Sequence, residues 1–221
     1  IVAVLCQECE NKKIFEDGFE SGNFNIWSGL KVTTGGKATI SNIKAHKGSY
    51  SARFESEAIT SGMIRACVYK KIDEISIVYA RGYFYIDEGL PLIDNNDRFT
   101  LIQFLSAKGG IIGNLQMRHV KGEDRYAIFA FDKLMTTTVI YPQPKRWYCL
   151  ELYVKIHATQ GEVKAYINGI ERLSYTNMDT TRFGKLSVIR FGLANSINIQ
   201  HRVMVYCDSA AISTSYIGPL S

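Results

Sequence analysis

The sequence predicts an all-β protein, an antiparallel sandwich led by an extended N-terminal strand. Three observations carry this. Period-2 alternation of apolar and polar residues dominates the chain. In the segment 146–157, for example, Tyr148, Leu150, Leu152, Val154 and Ile156 fall on one face, and Trp147, Cys149, Glu151, Tyr153 and Lys155 on the other. Turn-forming clusters recur between the alternating runs: DNND, AKGG, KGED, ATQG and RFGK. Strand-favouring Tyr (13) and Phe (11) are plentiful, Pro is scarce (4), and nothing beyond a single turn reads as helix. At 221 residues the chain suits one sandwich with a full hydrophobic core.

The elements follow in order. The chain opens on IVAVLCQEC, in which Ile1, Val2, Ala3, Val4 and Leu5 are five consecutive apolar residues. They define an arm over residues 1–14 ahead of a sandwich domain over 15–221. The run is too short for a signal peptide and no charged segment precedes it, so the chain reads as mature. Left exposed, the arm would be an adhesive strand edge. Burying three or four such side chains stabilises by roughly 1.5–3 kcal/mol each. One partner is the chain's own sheet. The other is a second copy, through donor-strand complementation, and such a head-to-tail contact grows a filament when its rotation does not close.

The acidic, aromatic stretch FEDGFESGNFNIW (15–27) follows, with Phe19 and Trp27 as core anchors of the first sandwich strand. A small Gly-Ser pair precedes a strand in AHKGSYSARFE (45–55). Further strands are predicted over 63–70, 75–86, 99–106, 112–120, 126–131, 135–141, 185–193 and 202–213. YARGYFY aligns Arg81, Tyr83 and Tyr85 on one face. GNLQMRH aligns Asn114, Gln116 and Arg118, with His119 on the opposite side. GEVKAYINGIERLSY is a hairpin whose Asn168-Gly169 pair supplies the two positive-φ residues of a type I′ turn.

Charge and cysteine content narrow the function. The net charge of +5 comes from dispersed bases, densest at YKK, NKK and KRW. This is a solvated mixed-charge surface, with an acidic polysaccharide as the polyanion it would suit. No basic helix or nucleic-acid module is present, so nucleic acid is not an expected partner. No apolar run reaches 18 residues, so no membrane span is expected. The cysteines are Cys6, Cys9, Cys67, Cys149 and Cys207. The C-x-x-C of Cys6 and Cys9 lacks the following His of a haem site and the second C-x-x-C of a zinc site. Structural disulfides are the leading expectation, ahead of inert buried thiols and of metal or redox chemistry. Cys149 is a candidate acceptor for a bond between subunits.

Three of these stretches, with RVMVYCDSAAISTSYIGP (202–219) as the third beside FEDGFESGNFNIW and AHKGSYSARFE, occur in the order of a known superfamily. Over 15–219 the chain resembles concanavalin A-like, laminin-G-like jelly rolls, in the flavour of the polysaccharide-lyase-like branch of secreted microbial proteins. The resemblance implies a jelly-roll topology and an extracellular or cell-surface location. It also implies a structural Ca²⁺ shared between the first and last strands, with Glu20 and Asp208 as ligands, Asp17 a weaker candidate, and the carbonyls of Lys47 or Gly48 completing the set. The competing account of these carboxylates is that they cap backbone amides.

Lyases on this scaffold need an Arg, Asn or Gln to neutralise a uronate carboxyl and a His or Tyr base. Arg81, Tyr83, Asn114, Gln116, Arg118 and Trp147 are the residues that would line such a groove. The departures count against catalysis: there is no Q-I-H, no Y-F-K-x-G-x-Y and no E-x-D-x-x-E. Combined with the cysteine-tipped arm, they favour a non-catalytic secreted subunit that polymerises with copies of itself into a pilus-like or tubular filament. A carbohydrate-binding module is the alternative, and a polyuronate lyase the next.

Overall fold

The computed structural model describes residues 12–59, 62–138 and 140–221. The arm residues Ile1, Val2, Ala3, Val4 and Leu5, together with Cys6 and Cys9, lie outside these.

Two antiparallel sheets pack face to face as a jelly-roll sandwich. Sheet one runs in the order β13 (Ile170–Met178), β12 (Gly161–Ile167), β11 (Trp147–Lys155), β6 (Ile77–Glu88), β15 (Val203–Ser213), β4 (Ser51–Ser56) and β3 (Gly36–Ser41). β1 (Lys13–Asp17) also pairs with β15. Sheet two runs β10 (Lys133–Thr137), β9 (Glu123–Ala130), β8 (Ile111–Val120), β7 (Arg98–Ser106), β14 (Leu186–Ile197), β5 (Met63–Ile75) and β2 (Gly29–Val32). The expected alternation holds where the strands are central. Tyr148, Leu150, Leu152 and Val154 enter the core, as do Val78, Ala80, Phe84 and Ile86 from β6. The hairpin between β12 and β13 turns at Asn168 (φ 52°) and Gly169 (φ 80°), the paired left-handed residues that an Asn-Gly turn supplies.

The fold differs from the sequence expectation in two places. β2 and β3 were not foreseen, because GLKV is exposed or half-exposed throughout and carries no buried alternation to reveal it. The strand expected over 135–141 is β10, Lys133–Thr137. One bond prolongs the ladder to β9 beyond it, from the Thr138 amide to the Tyr126 carbonyl (2.8 Å), and the Thr138 hydroxyl donates to the Ile140 carbonyl (3.1 Å).

The FEDGFESGNFNIW stretch closes one end of the core as an aromatic plug. Trp27 packs edge-on against Phe15 (4.7 Å) and Phe191 (5.7 Å) and stacks parallel to Phe19 (5.8 Å). Asp17, 8% exposed, pins it: one carboxylate oxygen accepts the Phe19 amide (2.8 Å), the other the indole Nε1–H of Trp27 (2.6 Å). The acid in this motif therefore joins the first strand to the tryptophan ten residues on. Asp17→Ala removes both acceptors and leaves two buried donors unsatisfied, a loss of ~2 kcal/mol or more. Thermal unfolding followed by circular dichroism is expected to show the midpoint falling by about 4–8 °C for a domain of this size.

Candidate functional site

The outer face of sheet two is an open groove of about 480 Å³. Its floor is set by register. Three rows of side chains cross the sheet, one residue from each strand, because cross-strand partners stand directly opposite one another. The first row runs Tyr69, Arg190, Gln103, Asn114, Phe129, and the second Asn195, Thr100, Gln116, Ala127. The third runs Ile197, Arg98, Arg118, Arg125. Arg65 joins the second row from β5, donating its Nε–H to Asn195 Oδ1 at 3.0 Å.

Two β-bulges put these residues in line. On β7 the pairing slips between Thr100 and Ile102, so that Arg98, Thr100 and Gln103 share the groove face although simple alternation would separate Gln103 from the others. On β14 it slips between Phe191 and Asn195, bringing Asn195 opposite Thr100. Gly192 makes that bulge possible: its φ is +108°, and a Cβ there would lie 2.6 Å from the Phe54 ring.

Hydrogen bonds lock the first row. Arg190 Nη1 donates to Gln103 Oε1 (2.8 Å), and Gln103 Nε2 donates to Asn114 Oδ1 (3.1 Å). The groove is rich in donors and poor in negative charge. Among the described residues no carboxylate stands within ion-pair distance of Arg65, Arg98, Arg118 or Arg190. Burial holds the guanidinium groups of Arg98, Arg118 and Arg190 below the ordinary arginine range, and neighbouring arginines add to this at Arg118 and Arg190. The Arg190 Nε–H and the Gln116 Nε2–H₂, in a side chain only 2% exposed, find no acceptor among the described residues.

The six residues expected to share one groove are divided between the two sheets. Asn114, Gln116 and Arg118 lie in the sheet-two groove. Arg81, Tyr83 and Trp147 lie on the outer face of sheet one, in register across β6 and β11, and a sugar platform combining both sets is geometrically impossible. That second face is largely covered. The C-terminal segment crosses it: the amides of Ile217 and Gly218 each donate to Glu151 at 2.9 Å, and the Leu220 amide donates to the Tyr83 hydroxyl at 2.7 Å. His46 stacks on Tyr83 with ring centroids 3.6 Å apart. Burial raises the Glu151 carboxyl above its ordinary range despite those two amides.

Sequence reasoning missed Arg65, Tyr69, Arg98, Gln103, Arg190 and Asn195. The alternation within 63–70 places Arg65, Cys67 and Tyr69 together and was a usable signal; the bulges hid the rest.

The carboxylates nominated for calcium are engaged with amides. Glu20 accepts the Ser49 amide (3.0 Å) and the Tyr50 amide (2.9 Å). Gly48 lies directly against it, since a Cβ there would sit 2.4 Å from Glu20 Oε1. Asp208 accepts the amides of His46 (2.7 Å), Lys47 (3.0 Å) and Ser209. Asp17 is committed to Phe19 and Trp27. These are bonds of the amide-capping kind, and among the described residues no three His, Cys, Asp or Glu side chains group together.

The cysteine expectation is corrected for the three described cysteines. Cys67, Cys149 and Cys207 are free and buried, with no disulfide between them. Burial pushes the thiols of Cys67 and Cys149 up to about 11 and raises that of Cys207 well above the ordinary thiol range. Cys149 lies beneath the C-terminal segment and is no exposed acceptor for another subunit. His119, as expected, turns from the groove, pairing through Nδ1 with Asp124 at 2.8 Å. None of the four histidines is among the residues lining the groove.

No family model matches the chain, and no curated protein matches it. Solved structures do. The chain is similar to the endo-β-1,4-glucuronan lyase of the fungus Trichoderma reesei, with a TM-score of 0.72 and 14% identity over 92% of this chain and 96% of that one. It shares the jelly-roll fold of that protein. It is also similar to the cellulose-induced protein Cip1 (TM-score 0.68, 15% identity, 93% and 100% of the two chains). A third similar structure is the alginate lyase Aly36B (TM-score 0.52, 11% identity, 77% and 85%). The jelly-roll resemblance seen in the sequence thus holds at the level of fold.

The buried thiols give a direct check on this geometry. Maleimide labelling of native protein at neutral pH, read by peptide mass spectrometry, is expected to leave Cys67, Cys149 and Cys207 unmodified. All three should label after denaturation without reductant.

Proposed function

We propose that the protein binds an acidic polysaccharide of the uronate type in the groove of sheet two. The observation that carries this is the arginine set of Arg65, Arg98, Arg118 and Arg190, laid across the sheet with no facing carboxylate among the described residues. A polymer with one carboxylate per sugar supplies the missing charge repeatedly along its length, and bidentate carboxylate recognition is what guanidinium geometry favours. Gln103, Asn114, Gln116 and Asn195 offer amide donors and acceptors for sugar hydroxyls between the charges. The fold likeness to a glucuronan lyase and an alginate lyase supports a scaffold suited to such chains. An extracellular place of action follows from this ligand class.

A second reading, β-elimination, is favoured by one observation. Tyr69 stands opposite Arg190 in the first row, beside Gln103 and Asn114. With the uronate carboxylate neutralised by Arg190, the Tyr69 phenolate would take the proton at C5. The C4–O bond would then break, its electron pair leaving with the departing sugar oxygen, which takes the proton back from the Tyr69 phenol as C4=C5 forms. The filament reading rests on Ile1, Val2, Ala3, Val4 and Leu5 alone. Nothing among the described residues or the similar structures supports it, so saccharide recognition takes its place.

Titration calorimetry with polyglucuronate and with alginate is expected to show binding that weakens as salt rises, and none to a neutral β-glucan. Arg118→Ala and Arg190→Ala each remove charged hydrogen bonds of about 1.5–3 kcal/mol, so each should weaken binding about tenfold or more. Equal affinity for the neutral polymer, or unchanged affinity in both variants at unchanged melting temperature, overturns the proposal. Under the second reading, wild type generates the ultraviolet absorbance of an unsaturated uronate and Tyr69→Phe does not. Binding without that absorbance leaves recognition alone.

A further inference from the structure

Arg98 and Arg118 are direct partners across β7 and β8, a placement in which like charges repel. What stands between them is Asn96. Its backbone carbonyl accepts Arg98 Nη1 at 2.7 Å, and its side-chain Oδ1 accepts Arg118 Nη2 at 2.7 Å. Asn96 does this from the left-handed region, at φ 82°, where asparagine is among the few non-glycine residues tolerated.

The loop carrying it is anchored from behind. Asp97, 1% exposed, accepts the amides of Ile93 (3.2 Å) and Asp94 (2.9 Å). Its carbonyl accepts the His119 amide at 3.0 Å. Asp124 accepts the Leu92 amide at 2.9 Å while holding His119. Asn96 is thereby fixed with two neutral oxygens turned to two cations, the contact a carboxylate would make with two charged ones.

We propose that Asn96 is a built-in stand-in for a ligand carboxylate. It keeps Arg98 and Arg118 side by side in the empty groove and yields Arg118 when a uronate arrives. Residue 96 is then a specificity-determining position: a neutral amide is displaced by a carboxylate but not by a sugar hydroxyl. The inference rests on the polysaccharide reading above.

The test uses the full chain with Asn96→Asp and Asn96→Gly, each also made in an Arg118→Met background, with polyglucuronate as probe. Asn96→Asp places a permanent carboxylate between the arginines. Without ligand it should raise the melting temperature by a few degrees, and it should weaken polyglucuronate binding about tenfold. Asn96→Gly suits the same φ and deletes Oδ1, and should tighten binding several-fold. Both binding effects should vanish in the Arg118→Met background. Asn96→Asp with wild-type melting and wild-type affinity overturns the proposal, as does an effect that persists undiminished without Arg118. Failure of the wild type to bind any polyuronate would instead bring down the polysaccharide reading itself, and this inference with it.

Discussion

Two guanidinium groups on adjacent strands, neither facing an acid, are a cost that a fold does not carry idly. At the ~5 Å separation of neighbouring strands, like charges in an effective dielectric of about 20 repel by up to ~3 kcal/mol before solvent screening at the groove mouth reduces it. Set against a typical domain stability of about 5–15 kcal/mol, that is a term selection could easily remove by a single substitution. In sheet two it recurs: Arg98 opposite Arg118, Arg118 opposite Arg125, and Arg190 near Arg65. Only Arg125 has its own carboxylate, Glu123. The others are held by neutral oxygens of Asn96, Gln103 and Asn195, which orient a cation without discharging it. The face is in this sense poised for an anion.

The two outer faces of the sandwich differ in what covers them, and the proposed site lies on the more open one. On sheet one, Arg81, Tyr83, Cys149 and Glu151 would look equally functional in a list, and Arg81 Nε and Nη1 have no acceptor among the described residues. Yet the chain's own C-terminal segment occupies that surface, and Glu151 and Tyr83 spend their acceptor capacity on its amides. The depression beside Arg81 is also lined by Glu16, Asp17 and Glu20, which would repel an acidic ligand. Among the described residues no crossing segment of this kind is bonded over the central strands of sheet two. The pinned aromatic plug of Asp17 and Trp27 lies elsewhere, closing one end of the core, so the strand that carries Arg190 also carries Phe191 against that plug.

How much of this was legible in the sequence follows from where period 2 holds. It held through β11 and β6, and there it gave both the strands and the faces; in β15 the bulge at Ser209 shifts the inward set from Val203, Val205 and Cys207 to Ala210 and Ile212. It failed wherever a bulge added a residue. Read by alternation alone, Gln103 belongs with Phe99 and Leu101, on the core side; only the slip after Thr100 moves it to the groove. Asn195 is shifted in the same way by the bulge at Gly192. Asn114, Gln116 and Arg118 were grouped correctly, since β8 is regular across those three residues. Their partners were not, because which strands are neighbours is a property of topology: β14 separates β5 from β7 in space while lying about 80 residues or more from either in the chain. The short strands β2, mostly exposed, and β3, mostly half-buried, show no alternation of burial to read.

The same register bears on whether the groove binds or also cleaves. Elimination needs a carboxylate neutralised at the same place where a proton is removed. The first row offers that coincidence at one point, Tyr69 beside Arg190, and the third row, for all its charge, has no phenol or imidazole in register with it. His119 faces away and is committed to Asp124, which in turn anchors the loop of Asn96. Among the described residues the arginines of the third row and the phenol of Tyr69 therefore lie on different rows, separated by the amides of the second. An extended acidic chain lying across the sheet along the third row would be gripped without meeting a base. One that runs obliquely, from Arg118 toward Tyr69, would place different sugars at the grip and at the base. On the proposed reading, the charge distribution therefore favours holding an acidic chain over cleaving it.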